Sequence, residues 1–217
     1  MIARIILMVS LALALPAHAD MRGSTERIQR FLKVAAQHPG DPAPLVELGA
    51  NYAVRYTDTH HKGDKQDAEK YLQAALAIDP KLAAPGAWRG LMRCSEARGK
   101  MSFGPAKEGL GQIDEAIAKQ PDNLDLRVLR ASVDLELPGN FNRSGEALAD
   151  LQACLVSPEK ARQWDLDLSE IHLKIGKCFR AKGDLAHARS EWEAAVKANA
   201  LSPEGQEASR LLVKYRN

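Results

Sequence analysis

Few residues in this sequence have types and spacing that could support chemistry. His60 and His61, flanked by Asp58 and Asp64, are metal-ligand types, but adjacent histidines in a turn rarely converge on one ion and no further ligand is identifiable. Serine, histidine and acidic residues are scattered, without a nucleophile signature such as G-x-S-x-G. We therefore predict no catalytic residue, no metal and no cofactor, and a solvated turn around the two histidines.

The cysteines give no sign of metal or redox chemistry. Cys94, Cys154 and Cys178 form no C-x-x-C pair and no zinc-type spacing with histidine. Cys154 and Cys178 lie on neighbouring predicted helices and could form a disulfide in an oxidising compartment. The alternative, which we prefer, is that all three are small buried hydrophobic side chains.

The first nineteen residues, 1–19, have the pattern of a secretory signal peptide. Arg4 supplies a positive start, Ile5–Leu15 is an apolar run, and Ala17-His18-Ala19 is a small-residue cleavage site. A membrane anchor needs about 20 apolar residues, and this run is about half as long. We expect cleavage before Asp20, export to the periplasm, and no stable membrane insertion of the mature chain.

Residues 20–217 have the composition of one soluble helical domain. The whole chain of 217 residues is 45% hydrophobic and only 5% aromatic, with a formal charge of +2. Because the chain is nearly neutral, it is unlike proteins that bind nucleic acid through a large positive net charge.

The clearest element is a pair of amphipathic helices in Ser169–Ser202. Lys182-Gly183-Asp184 places a helix-ending glycine directly before an N-cap aspartate, so one helix stops and the next starts there. Gly176 lies inside the first helix, twelve residues before Ala188, and such a pair would let the two helices approach closely. Apolar residues recur at helical spacing in both: Ile171, Ile175, Cys178 and Phe179, then Leu185, Ala188, Trp192, Ala195 and Val196.

This stretch resembles the tetratricopeptide repeat (TPR), a helix–turn–helix unit of about 34 residues. The resemblance rests on Ile175-Gly176, Phe179, Ala188, Trp192 and Ala195; it departs from the family pattern at Ala200, where proline is usual, and at His172, where tryptophan is usual. Similar patterns occur at 42–80, 83–121 and 125–158, with a short helix before them and a C-terminal helix at 203–216. The predicted fold is all-α: a right-handed α-solenoid of about four TPR-like helix pairs with capping helices at both ends.

The resemblance implies that the first helix of each pair lines a concave groove, which in this family often holds an extended peptide or a partner helix. By register, the groove-facing positions form one set in the third helix pair and one in the fourth. The first is Leu126, Leu129, Val133 and Glu136, and the second is Glu170, Leu173, Lys177 and Arg180. The basic residues would suit a partner with an acidic end; the alternative is that small residues pack helix on helix and the charges form a solvated face.

A second candidate surface is a rim formed between the helices of the first three pairs. Each of these pairs has extra residues there, which in a stacked array would emerge on one edge. The rim candidates are His60, His61, Lys100, Met101, Phe103, Phe141 and Arg143. Exposed Met, Phe and Arg are typical of interfaces. The alternative is that the extra residues lengthen the helices and the phenylalanines join the core.

Two functions remain compatible with the sequence. The first is a non-enzymatic periplasmic scaffold that binds a protein or peptide in its groove. The second is a carrier or accessory subunit for a lipid or organic solute, which would use the alanine-rich groove of the first two pairs, such as Ala50, Ala53 and Ala87.

Overall fold

The computed structural model describes residues 21–98, 103–137, 141, 143–156 and 166–216. The predicted signal peptide and Pro158, the predicted end of the third repeat, lie outside these ranges. Across the described ranges the regular secondary structure is helical. The helices are α1 (Met21–Gln37), α2 (Ala43–Thr59), α3 (Lys62–Ile78), α4 (Ala84–Arg98), α5 (Phe103–Lys119), α6 (Leu124–Glu136), α7 (Ser144–Leu155), α8 (Leu168–Ala181), α9 (Leu185–Ala198) and α10 (Pro203–Lys214).

Within the described ranges, the helices stack as four pairs with one further helix before them and one after them. The pairs are α2/α3, α4/α5, α6/α7 and α8/α9, and the first helices also pack in order, α2 on α4, α4 on α6 and α6 on α8. Helix α1 packs on α2, and α10 packs on α8 and α9. The all-α solenoid predicted from the sequence is confirmed.

Glycines allow the helices of two pairs to approach closely, and one of them is the predicted Gly176. A Cβ added to Gly176 would lie 3.0 Å from the carbonyl oxygen of Ala188 and would overlap the indole of Trp192. A Cβ added to Gly90 would lie 2.5 Å from the carbonyl oxygen of Gly109, which is backbone and cannot move aside easily. The predicted close approach at Gly176 and Ala188 is therefore correct, and Gly90 and Gly109 make the same kind of approach in the second pair.

The extra residues of the first pair lengthen its helices instead of forming a projecting loop. Helix α2 continues to Thr59 and α3 begins at Lys62, so only His60 and His61 separate them. His60 takes the left-handed conformation, with φ of 51°, which ends α2. The added turn buries Tyr56, whose hydroxyl donates to Oε1 of Glu96 on α4 at 3.1 Å. Here the expectation of an emerging insertion is wrong, because the extra turn gains contacts with the next pair.

The predicted helix boundaries around α9 and α10 agree with the structure. The Asp184 side chain accepts a hydrogen bond from the His187 amide at 3.1 Å, and Ser202 Oγ accepts one from the Gly205 amide at 3.0 Å. Gly183 has φ of 81°, the left-handed conformation that favours glycine at the end of a helix. These caps hold the fourth pair and the terminal helix in register.

Arginines on first helices join the second helices of adjacent pairs. Arg89 on α4 donates to Glu69 on α3 at 2.8 Å, and Arg93 donates to Glu108 on α5 at 2.8 Å. Arg130 on α6 repeats this arrangement between α5 and α7. These contacts tie the first helices α4 and α6 to the second helix of their own pair and to that of the preceding pair.

The three cysteines are buried and are not joined by disulfides. Cys154 and Cys178 lie in one apolar cluster with Ile171 and Ile175. Desolvation raises the pKa of Cys154 to about 12 and of Cys178 to about 11. In this structure, therefore, they are the small buried hydrophobic side chains that the sequence favoured.

Candidate functional site

The predicted groove residues of α6 lie on more than one side of that helix. Leu126, Leu129 and Val133 are 2%, 7% and 3% exposed and pack in the core with α4 and α5, where Ile113 is fully buried. Glu136, at the end of α6, is exposed. The three apolar side chains thus join one helix pair to the next, as the helix-packing alternative expects, and are not open to a partner.

The predicted groove residues at the C-terminal end of α8 are directed toward α10. Leu173 is buried with Trp192. Lys177 Nζ lies 2.9 Å from a carboxylate oxygen of Glu207, and Arg180 donates to the Tyr215 hydroxyl at 3.1 Å. The predicted basic end of the groove is partly neutralised by the terminal helix, although Arg180 stays exposed.

The remaining predicted residue of α8, Glu170, belongs to a buried polar link between α8 and α6. Glu170 is 2% exposed and pairs with Lys174, one turn further along α8, at 2.5 Å. Lys174 Nζ also donates to Ser132 Oγ on α6 at 2.6 Å. The lysine therefore has its partners within the fold.

The alanines that would form a carrier's apolar floor are part of the helix packing. Ala50, Ala53 and Ala87 are 1%, 0% and 0% exposed. An open apolar pocket would need these side chains to face free space. Their burial removes the feature on which the carrier hypothesis depended.

Two carboxylates that the sequence analysis did not single out lie on first helices of the stack, in α2 and α6. Glu47 is in α2, and its Oε2 is buried without a hydrogen-bond partner. Asp125 is in the first turn of α6. The charge of Asp125 acts on Glu47, and the charge of Glu170 on α8 acts on Asp125.

The environment of these two carboxylates disfavours their charged forms. Desolvation, followed by repulsion from Asp125, raises the pKa of Glu47 to about 8, although Arg27 and Arg30 act in the opposite direction. Desolvation and the charge of Glu170 raise the pKa of Asp125 to about 7. Both groups therefore exchange protons near neutral pH.

Helix α1 contributes the positively charged side chains that act on Glu47, which are Arg27 and Arg30. Arg27 Nε donates to Oδ1 of Asn51 at 2.8 Å, and the Asn51 amide donates to the carbonyl oxygen of Glu47 at 2.8 Å. Burial lowers the pKa of Arg27 from its ordinary value. One signal could have revealed the site: Glu47 is the single acid within the small and apolar run PLVELGA of α2.

The rim candidates are only partly brought together. Phe103, at the start of α5, is 58% exposed, and its ring centroid lies 5.5 Å from that of the half-buried Phe141. His60 and His61 are exposed. Arg143 is bound internally, to Asp134 at 2.5 Å and to Asp114 at 3.2 Å. Lys100 and Met101 lie outside the described residues.

A charged depression of about 250 Å³ lies between α3, α4 and α5. Its floor is Met92, and its walls include Lys65, which pairs with Glu96 at 2.5 Å, and the arginine pairs of α4 described above. The cations that line it are engaged by carboxylates, so it serves to link the helix pairs. Within the described ranges, no three His, Cys, Asp or Glu side chains are grouped as metal ligands, and no described helix is long and apolar enough to cross a bilayer.

Comparison with solved structures places this architecture among the α-solenoids built from helix pairs. The chain superposes on the crystal structure of TTC0263, a thermophilic TPR protein of Thermus thermophilus, with a TM-score of 0.62. The match covers 90% of this chain and 92% of that one, at 14% sequence identity. No protein-family model matches the sequence, and no curated protein matches it. The likeness shows that the fold is TPR-like.

Proposed function

We propose that this protein is a non-enzymatic scaffold that holds a segment of a partner protein against its concave face. The observation that carries this proposal is the TPR-like fold itself: a stack of first helices that presents one continuous surface, with an architecture known for protein interaction. Charged and polar groups at several levels of that surface could order a bound segment.

The proposed setting is the periplasm. The support is the pattern of Arg4, the apolar run Ile5–Leu15 and the A-x-A site before Asp20. Buried thiols with raised pKa values suit an oxidising compartment, because little reactive thiolate is present.

Two surfaces are open for partner binding within this proposal. One is the concave face near Lys177 and Arg180, which retains exposed positive charge at its α10 end. The other is the aromatic pair of Phe103 and Phe141 at the rim. A partner held by the first would be sensitive to charge and salt, and a partner held by the second would depend on apolar contact.

Affinity capture of the mature protein from its native envelope, followed by mass analysis of proteins and small molecules, tests the proposal. We expect one stoichiometric protein partner. Lys177→Glu/Arg180→Glu should abolish its capture if the concave end binds it, and Phe103→Ser should abolish it if the rim does. Lys197→Glu, an exposed change on α9, is the matched control and should leave capture unchanged.

One result would count against the scaffold itself, and another against the two binding surfaces named for it. A stoichiometric small molecule without any protein would mean that the carrier hypothesis was correct. Capture that survives both the concave and the rim variants would mean that neither surface holds the partner.

A further inference from the structure

The feature that carries a further inference is the seam between the C-terminal ends of α8 and α10, which pack on each other. Across 177–182 and 207–216, six of the seven charged residues are basic, although the whole chain has a formal charge of only +2. The six are Lys177, Arg180, Lys182, Arg210, Lys214 and Arg216, and the single acid is Glu207. This seam therefore concentrates positive charge that the rest of the chain balances.

Tyr215, directly after α10, is fixed in this seam by contacts of its ring and of its backbone. Its ring centroid lies 5.7 Å from that of the buried Trp192, with the two planes tilted by 33°. Its carbonyl oxygen accepts a hydrogen bond from Arg189 Nη1 at 2.5 Å. Its amide donates to the carbonyl oxygen of Leu211 at 2.9 Å. The phenol group is thus held in place before any partner arrives.

Two exposed cations lie beside this phenol group. Arg180 Nη1 donates to the Tyr215 hydroxyl at 3.1 Å, and Lys214 Nζ lies 5.5 Å from the ring centroid. Among the described residues, neither cation has a carboxylate within salt-bridge distance. Glu207, on the same helix as Lys214, pairs with Lys177 at 2.9 Å. The charges of Arg180 and Lys214 are therefore available to an anion from outside.

The same three groups keep hydrogen-bond donors that no described group uses. The Tyr215 hydroxyl accepts from Arg180 and still carries its own proton, while the guanidinium has further N–H groups and Lys214 adds an ammonium. The hydrogen bond from Arg180 lowers the pKa of Tyr215, and the charges of Arg180 and Lys214 lower it further. A hydroxyl polarised in this way is a stronger donor toward an anion.

We propose that Arg180, Tyr215 and Lys214 together bind a carboxylate of an acidic segment in the partner protein. The guanidinium and the phenol hydroxyl donate to the carboxylate oxygens, and Lys214 balances the charge. This inference rests on the proposed scaffold function and deepens it, because it names the chemistry of the partner and adds Tyr215 and Lys214 to the surface near Lys177 and Arg180.

An anionic membrane is the other partner that positive charge attracts, and the seam fits it less well. A helix that lies on a bilayer buries a continuous apolar face. Among the described residues, the large apolar side chains exposed on or beside α10 are Leu201 and Val213, at 87% and 72%. They lie at opposite ends of the helix and form no continuous apolar face. A carboxylate, in contrast, needs only the few donors placed here.

Fluorescence anisotropy of a short labelled peptide of alternating glutamate and alanine measures the binding. We expect the native protein to bind this peptide at low ionic strength and more weakly at physiological ionic strength. It should not bind the matching peptide of glutamine and alanine. Tyr215→Phe should weaken binding about three- to tenfold, because one hydrogen bond to the anion is lost.

Tyr215→Phe isolates the hydroxyl, since it keeps the charge of the seam, the ring contact with Trp192 and the backbone hydrogen bonds. Its melting temperature should therefore equal that of the native protein. Arg180→Gln should weaken binding at least as much as Tyr215→Phe. Lys70→Gln is the matched control and should bind as the native protein does, because Lys70 is an exposed lysine whose Nζ lies 5.0 Å from the Tyr71 ring centroid in the first helix pair.

Two outcomes would overturn the proposal. Equal affinity of Tyr215→Phe and the native protein would mean that net charge alone attracts the peptide. Binding to vesicles of anionic lipid without binding to the peptide would mean that the seam contacts a membrane. Neither outcome decides the scaffold function, which fails instead if affinity capture recovers no protein partner.

Discussion

At the scale of single residues, the close approach of helices depends on the absence of side-chain atoms at a few positions. Gly90 and Gly109 face each other so closely that a Cβ on either would meet the other's carbonyl oxygen at 2.5 Å. Gly111, two residues along α5 from Gly109, faces open space. The same residue type therefore has opposite consequences at neighbouring positions.

Gly90→Ala should destabilise the protein by about 1–3 kcal/mol, because the added methyl group forces α4 and α5 apart. Urea unfolding of the purified protein measures the change. Gly111→Ala is the control and should be neutral or stabilising by up to about 1 kcal/mol, since alanine is the better helix former. Equal stability of the Gly90→Ala variant and the native protein would contradict the packing seen here.

A second prediction at the scale of single residues concerns Glu47 and the way in which the stability of the protein depends on pH. Its pKa is about 8 in the folded protein and about 4.3 in an unfolded chain. The folded state then binds the proton more tightly, so the free energy of unfolding falls as pH rises between these values and levels off above about pH 8.

We expect the melting temperature of the native protein to fall by about 5 °C between pH 6 and pH 9. In the Glu47→Gln variant the melting temperature should change much less between these pH values, because the amide does not titrate. Thermal unfolding followed by circular dichroism at the two pH values measures both. The same fall in the variant would show that another group is responsible.

At the scale of elements, buried ion pairs position the third helix pair. Asp150 on α7 is 1% exposed and accepts hydrogen bonds from two arginines of α6: from Arg130 Nε at 2.7 Å and Nη2 at 2.9 Å, and from Arg127 Nη1 at 3.0 Å. Arg130 also reaches Asp114 on α5 at 2.9 Å. One carboxylate thus fixes α6 against α7, and the same arginine fixes α6 against α5.

Asp150→Asn should destabilise the protein by about 3 kcal/mol or more, because it leaves the arginines without their buried counter-charge. Chemical unfolding is the measurement. Glu115→Gln, which removes an exposed pair with Lys119, should produce no measurable change. A similar loss for both variants would mean that the position of Asp150 has no special role.

At the scale of the whole molecule, the first and the last described helix each cover an apolar face of the stack. Ile28 and Phe31 of α1 pack with Leu48, and Ala208 of α10 packs with Trp192. A solenoid without such ends would expose the face of its outermost pair.

If the first residues form a secretory signal, the protein recovered from the envelope should begin at Asp20. Mass analysis of the intact protein tests this, with the chain recovered from an export-blocked cell as the comparison. Replacing Leu11 and Leu13 with arginine should prevent cleavage, because it breaks the apolar run. A mature chain that retains Met1 would contradict the prediction.

The sequence by itself determined the helix pairs, their caps and the fold class. Hydrophobic periodicity, Gly176 opposite Ala188, and the capping residues Asp184 and Ser202 are local signals, and each acts within one pair or at one helix end. Only the tertiary structure decided which residues face the groove. A helix of this stack has neighbours on several sides, and small differences in rotation decide which of them a side chain meets.

This is why the apolar Leu126 and Val133 joined the core between pairs, while Asp125, one position away from Leu126, stayed half-buried. The same reason explains the missed pair of Glu47 and Asp125. They are far apart in sequence and on helices that do not share a repeat, so no pattern within a repeat could bring them together. The effect of the Asp125 charge on the pKa of Glu47 depends on how successive helix pairs stack, which is set by all the interfaces between the helices.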